Sequence, residues 1–250
     1  MNKAVVGLLI AAGVLAAQEA RQIVEEATRR ARSSSQRYEG TLQVIGSGGR
    51  ISDKRWVYER IGSEGASKAV LRFIAPPEVK GVALLVIHHK DRASDQWMWT
   101  PAIQRERRIA LQDRSTRFFG TDFSFEDLEE SEPSQYDYRL AGEEKLEGVD
   151  CWKIESRPRP LRASQYTHSL TWIRKDRYLG VQSERYDRGG LARRIEWSEF
   201  EQVKGIWTPK RLEVFDNRRN SRTVMKLEKL DYNVPMKDED FTLQALRRGS

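Results

Sequence analysis

From Tyr38 onward the sequence alternates apolar and polar residues with a period of two, in short runs that each stop at a turn signal. Successive side chains of a strand point to opposite faces, so this period predicts strands. Thr41 to Ile45, Arg55 to Ile61 and Lys68 to Ala75 come first, broken by Gly46-Ser47-Gly48-Gly49 and by Gly62 to Gly65. The third run puts Ala69, Leu71 and Phe73 on one face and Arg72 on the other, which predicts burial of at least one side. Val82 to His88 is a short apolar run rich in Val, Leu and Ile, and reads as a buried strand. Seven further runs follow: Tyr136 to Glu143, Cys151 to Ser156, Thr167 to Arg174, Leu179 to Asp187, Arg193 to Val203, Ile206 to Phe215 and Thr223 to Tyr232. Connections as short as Gly189-Gly190 and Lys204-Gly205 require antiparallel neighbours. The predicted class is therefore mainly β (α+β), a meandering, strongly curved antiparallel sheet. Parallel βαβ units are excluded because amphipathic helices do not separate the strands, and no glycine-rich phosphate loop occurs.

The N-terminal residues have a different character. Lys3 is followed by 14 small and apolar residues, Ala4 to Ala17, and then by Gln18-Glu19. That run is shorter than the ~20 residues of a membrane-spanning helix, and its small end at Ala16 and Ala17 suits a signal peptidase. Residues 1–17 are expected to be a signal peptide cleaved after Ala16 or Ala17, leaving 18–250 as a single periplasmic domain. Between Gln18 and Ser34, Ala20, Ile23, Val24, Ala27 and Ala31 recur at spacings of three and four, the period of an amphipathic helix.

Composition narrows the chemistry. One cysteine, Cys151, allows no internal disulfide and no cysteine-based zinc site. His88 and His89 are adjacent on a strand and point to opposite faces, and His168 is distant, so no metal and no cofactor is expected. Cys151 has no nearby histidine to activate it and reads as a buried inert thiol. Asp122, Glu126, Asp127, Glu129 and Glu130 form the densest acidic cluster, at a spacing unlike a calcium loop. Charge at a helix N-terminus, with Ser124 as cap, is the expected role. A pair of these acids acting on a glycosidic bond is the enzymatic alternative. With no serine elbow either, no catalytic residue is assigned.

The chain has 44 Lys and Arg against 37 Asp and Glu, and its densest basic run, Arg105, Arg107, Arg108, Arg114 and Arg117, follows Trp97 and Trp99. Export removes nucleic acid as a partner and leaves anionic lipid. Arg105, Arg107 and Arg108 are therefore candidates for contact with an anionic head or a membrane. Trp97 and Trp99 are two apart and share one face of a strand.

Several blocks of the sequence resemble the outer membrane lipoprotein-sorting protein family, within the LolA- and LolB-like periplasmic carriers. They are Phe73 to Pro77, Lys80 to Leu85, Trp97 to Pro101, Arg107-Arg108-Ile109 and Phe119 to Leu128, with Gly148 to Trp152, Trp172 to Asp176 and Asp240 to Leu243 continuing the likeness. The resemblance implies an open half-barrel of roughly eleven antiparallel strands, with helices covering or plugging its concave face and an apolar cavity for acyl chains. In that frame Trp97, Trp99, Phe73, Leu71, Phe119, Phe123 and Phe125 are the candidate cavity residues. The implied partners are a lipoprotein or lipid cargo, an inner-membrane exporter and an outer-membrane acceptor, with the carrier acting as a monomer. An envelope sensor module on the same scaffold is the alternative, which a filled core with an exposed groove favours and a dry, continuous cavity disfavours.

Overall fold

The computed structural model describes residues 3–63, 65–160 and 162–248, with side chains from Ala17 onward. Helix α1 (Lys3–Arg30) leads into β1 (Ser35–Ile45), β2 (Ile51–Ser63), β3 (Ala66–Ala75), β4 (Ala83–Ile87), β5 (Asp95–Thr100) and β6 (Arg105–Arg108). After an irregular segment come β7 (Tyr136–Leu146), β8 (Val149–Pro158), β9 (His168–Arg174), β10 (Gly180–Asp187), β11 (Gly190–Val203), β12 (Ile206–Asp216), β13 (Ser221–Tyr232) and α2 (Leu243–Arg248). The side chains on which the export signal was read, up to Ala16, lie outside the described residues. Among the described residues no helix is long and apolar enough to cross a membrane.

All 13 strands form one antiparallel, curved and unclosed sheet, in the order β6-β5-β4-β3-β2-β1-β13-β12-β11-β10-β9-β8-β7. Eleven of them coincide with the runs read from the sequence; β5 and β6, the strands of the tryptophans and the arginines, complete the set. The two meanders join where β1 pairs with β13 through a bulge at Glu39/Gly40. Gly40 is required there, since a Cβ would lie 1.9 Å from the Lys226 carbonyl oxygen. At the β2–β3 turn, Gly62 adopts φ +82° and likewise has no room for a Cβ.

This order has one large consequence. β6 and β7 are consecutive in the chain yet form the opposite edges of the sheet, so residues 109–135 must cross the sheet from edge to edge. They do so as a strap over the concave face. Phe118, Phe119 and Phe125 of the strap pack on Phe73, Leu71, Trp56 and Leu42, with the Phe73 and Phe118 rings stacked at 5.4 Å. Helix α1 covers the same face at the β7 end, through Ala20 and Ile23 against Ile154 and Ile173. The apolar spacing read from the sequence is thus the face that α1 buries, except that Ala31 follows the last helical turn and is exposed.

The other helix differs from the expectation that helices cover the concave side. α2 packs on the opposite face, where Leu246 and Phe241 meet Val70, Ala83 and Leu85. An exposed edge strand invites pairing with another chain, and β6 answers this with a length of four residues and the sequence Arg-Glu-Arg-Arg.

Candidate functional site

The strap divides the concave face into two unlike halves. Over β1 to β5 it fills the space with aromatic core: Phe73 is fully buried, and Phe118 and Phe125 are nearly so. Over β7 to β11 it leaves a cavity of about 290 Å³, roofed by Val24 and Thr28 of α1. The volume is just below the roughly 300–1,000 Å³ of typical small-molecule pockets.

Two buried ion clusters fix the strap. Asp127 is ion-paired with Arg185 of β10, lies 3.5 Å from Arg193 of β11, and accepts a bond from the Tyr166 hydroxyl at 2.7 Å. Burial alone pushes its carboxyl up, but Arg185 and Arg193 outweigh burial and hold it below the usual carboxylate range. Glu129 accepts from Gln96 at 2.7 Å and pairs with Arg114 at 2.7 Å and Arg162 at 3.1 Å. Here burial prevails over both guanidiniums, and the Glu129 carboxyl is raised. Asp122 is held by Arg117 at 2.6 Å and by Ser221 and Thr223 of β13.

These contacts go beyond the capping role expected for the acids. Ser124 and Asp127 do bond each other, the Ser124 backbone N–H donating to Asp127 at 2.7 Å, but the helical turn that follows is only Glu126–Leu128. Asp122, Asp127 and Glu129 instead bind the strap to the sheet and to the neighbouring arginines. Glu126 accepts from Ser164 and from the Gln165 backbone N–H.

The cavity candidates separate by face. Phe73, Leu71, Phe119 and Phe125 come together, but as the packed core beneath the strap, and Phe123 packs with Ile195 and Val214. Trp97 and Trp99 do share a face, yet it is the face away from the strap, where they pack with the α2 cluster; Met98 points inward instead. The reason is register: Leu85 and Ala83, which sit opposite Trp97 and Trp99, are the outward residues of β4. Neither indole lines the concave space. Arg108 pairs with Asp95 at 2.6 Å beside the Trp97 ring, whereas Arg105 and Arg107 are exposed on β6 without an ion-pair partner among the described residues. Cys151 is buried, and burial raises its thiol pKa. No group of three or more His, Cys, Asp or Glu among the described residues is arranged to hold a metal.

The residues that do line the open cavity went unnoticed in the sequence. Ile154, Ile173 and Trp197 supply apolar wall, but hydroxyls dominate the rest, including Tyr138, Ser156 and Ser169. The cavity is therefore not the dry acyl channel expected. The available signal was serine at inward positions of β8 and β9, which becomes informative only once the strand register is known.

An unclosed antiparallel half-barrel, with a helix and a strap over its concave face and a cavity between them, defines a LolA-like fold. A family model described as "uncharacterized protein" matches residues 65–248, and the chain belongs to that family. The chain is similar to a Vibrio parahaemolyticus domain provisionally named an outer membrane lipoprotein-sorting protein, with TM-score 0.88 and 25% identity over 93% of this chain and 100% of that one. A DUF1329 family protein from Desulfovibrio piger gives TM-score 0.88 and 27% identity, covering 92% of this chain and 99% of the other. A LolA superfamily protein from Nitrosomonas europaea shares the fold at TM-score 0.73 and 18% identity, over 90% and 98% of the two chains. No curated protein matches the sequence.

Proposed function

We propose that the protein is a non-enzymatic periplasmic carrier, which takes the acyl chains of a lipoprotein or lipid under α1 and moves them between the inner and outer membranes. The observation that carries this reading is the cavity between α1, the strap and β7 to β10, beside the apolar contact of Ala20 and Ile23 with Ile154 and Ile173. An acyl chain can replace that contact like for like, since each methylene removed from water contributes about 0.8 kcal/mol. Among the described residues few polar bonds oppose such an exchange; one of them runs from Arg21 to the Tyr136 carbonyl at 3.1 Å.

The N-terminal pattern supports export, with cleavage after Ala16 or Ala17 and residues 18–250 as the mature monomeric domain. Exposed Arg105 and Arg107 on the β6 edge suit contact with an anionic membrane surface or with a membrane exporter and acceptor. The decisive experiment is purification from a native cell envelope followed by mass spectrometry of extractable lipids. A stoichiometric amphiphile is expected. Protein that carries none, and from which no amphiphile displaces an apolar dye, overturns the carrier reading.

A further inference from the structure

The concave face of β7 to β11 carries a continuous polar row. Tyr138 lies opposite Ser156, Ser156 opposite Ser169, Ser169 opposite Arg185, and Arg185 opposite Arg193. Residues directly opposite in antiparallel strands share a face at Cβ separations of about 4.5–5.5 Å, so these pairings make one line of side chains. The first four members line the cavity under α1.

The next row along the strands, Leu140, Ile154, Thr171, Ser183 and Ile195, behaves as a core row should. It is apolar at both ends, and its two hydroxyls satisfy each other at 3.2 Å. The Tyr138, Ser156 and Ser169 hydroxyls, in contrast, have no hydrogen-bond partner among the described residues, and none is sealed off from the cavity. These three hydroxyls, in line and open to the cavity, are free to bond a ligand that enters it, and a ligand that displaces water there must offer them partners.

Arg185 supplies charge at the end of this line. Its Nη1 is engaged by Asp127, while its side chain stays 24% exposed. Asp127 serves two guanidiniums, Arg185 and Arg193, and the other carboxylates nearby are already engaged: Glu126 by Ser164 and Gln165, Glu129 by Arg114 and Arg162. Of these, Arg162 and Arg185 line the cavity with Glu126 and Glu129, and Arg185 is the guanidinium at the end of the hydroxyl row.

We propose that the row Tyr138, Ser156, Ser169 and Arg185 is a headgroup site for a phosphorylated lipid. The hydroxyls donate to phosphate oxygens and Arg185 supplies the cation, while the chains lie against Val24, Ile154, Ile173 and Trp197. This assignment rests on the carrier reading and adds the headgroup class to it.

Calorimetric binding of dioctanoyl phosphatidylglycerol, dioctanoylglycerol and inorganic phosphate tests it. The wild-type protein is compared with the triple variant Tyr138→Phe, Ser156→Ala, Ser169→Ala, which removes only hydroxyls that bond nothing in the fold. Arg185→Lys, which keeps a charge opposite Asp127 but loses the guanidinium fork that can bond Asp127 and a phosphate at once, is the second variant. Both variants should weaken phosphatidylglycerol binding by about tenfold or more and leave dioctanoylglycerol unchanged. Equal effects on the two lipids, or none on either, overturn the headgroup site and leave the carrier standing. Failure of both lipids to bind the wild type overturns both readings. Inorganic phosphate binding as tightly as phosphatidylglycerol replaces the lipid assignment with a free-anion site.

Discussion

Asp122 and Thr223 hold each other twice across the strap and β13. The Asp122 backbone N–H donates to Thr223 Oγ1 at 2.8 Å, the same oxygen donates to Asp122 Oδ2 at 2.8 Å, and both residues are fully buried. The pair marks where a segment more than a hundred residues away in sequence is fixed to the strand that joins the two meanders.

Breaking the strap anchors should therefore cost more than loss of a helix cap. Thr223→Val leaves Asp122 short of two bonds, with an expected loss of roughly 1–3 kcal/mol. Asp127→Asn strands Arg185 and Arg193 without their shared carboxylate, with an expected loss of roughly 3–5 kcal/mol. Urea denaturation of the two variants checks the order, which a purely local capping role would not produce.

His88 should make the fold acid-sensitive. It is 5% exposed, and burial, with help from Arg162 and Arg60, pushes its pKa from 6.5 to about 3. Because the folded value is depressed, the unfolded chain binds the extra proton between these two pH values. Stability is present above pH 6.5 and is lost as pH falls toward 3, at up to about 1.4 kcal/mol per pH unit. His88→Gln keeps a hydrogen-bonding group near Ser94 without the titration, and its thermal midpoint should fall less steeply between pH 6.5 and 4. Parallel profiles for the two proteins would assign the acid sensitivity elsewhere.

Trp97 and Trp99 should matter for folding and not for cargo. Replacing both by Leu removes ring area packed with the α2 cluster, so the melting temperature should drop while lipid affinity per folded molecule stays constant. Phe73→Ala in the strap-covered core should destabilise by roughly 3–5 kcal/mol. A selective loss of binding in the tryptophan variant would return the indoles to the cargo path.

Helix α1 should control access to the cavity. Ile23 is 5% exposed between Ile154 and Ile173, and Ile23→Asp places a carboxylate in that contact. Release of α1 should raise apolar-dye fluorescence and hydrogen exchange in residues 17–30, while the β1 to β5 core stays protected. Unchanged dye binding would mean that α1 is not the cover of the cavity.

Much of this architecture was legible in the sequence because it is local. Alternation fixes which residues of β3 share a face, and Leu71 and Phe73 are indeed buried together on the strap side. The spacing of Ala20, Ile23, Val24 and Ala27 fixes the buried side of α1. Alternation could not say which side of the sheet is concave. Trp97 and Trp99 illustrate the loss: pairing them on one face was right, but only the β4–β5 register and the position of α2 put that face outward.

The candidate site depended still more on long-range pairing. Ser156, Ser169 and Arg185 each look like ordinary strand residues, and they become a row only through two successive registers across β8, β9 and β10. The path of the strap follows from β6 and β7 being opposite edges of the sheet, which no local pattern encodes.

The sequence by itself determined the strands, their antiparallel turns, the amphipathic helix and the exclusion of an internal disulfide, because each depends on side-chain periodicity or composition. Tertiary structure alone decided that aromatic core fills one half of the concave face, while a hydroxyl-lined cavity opens in the other. That choice belongs to buried pairs such as Asp127 with Arg185 and Asp122 with Thr223, whose partners lie 58 and 101 residues apart. Their energy exists only after the sheet has brought them out of water and into contact.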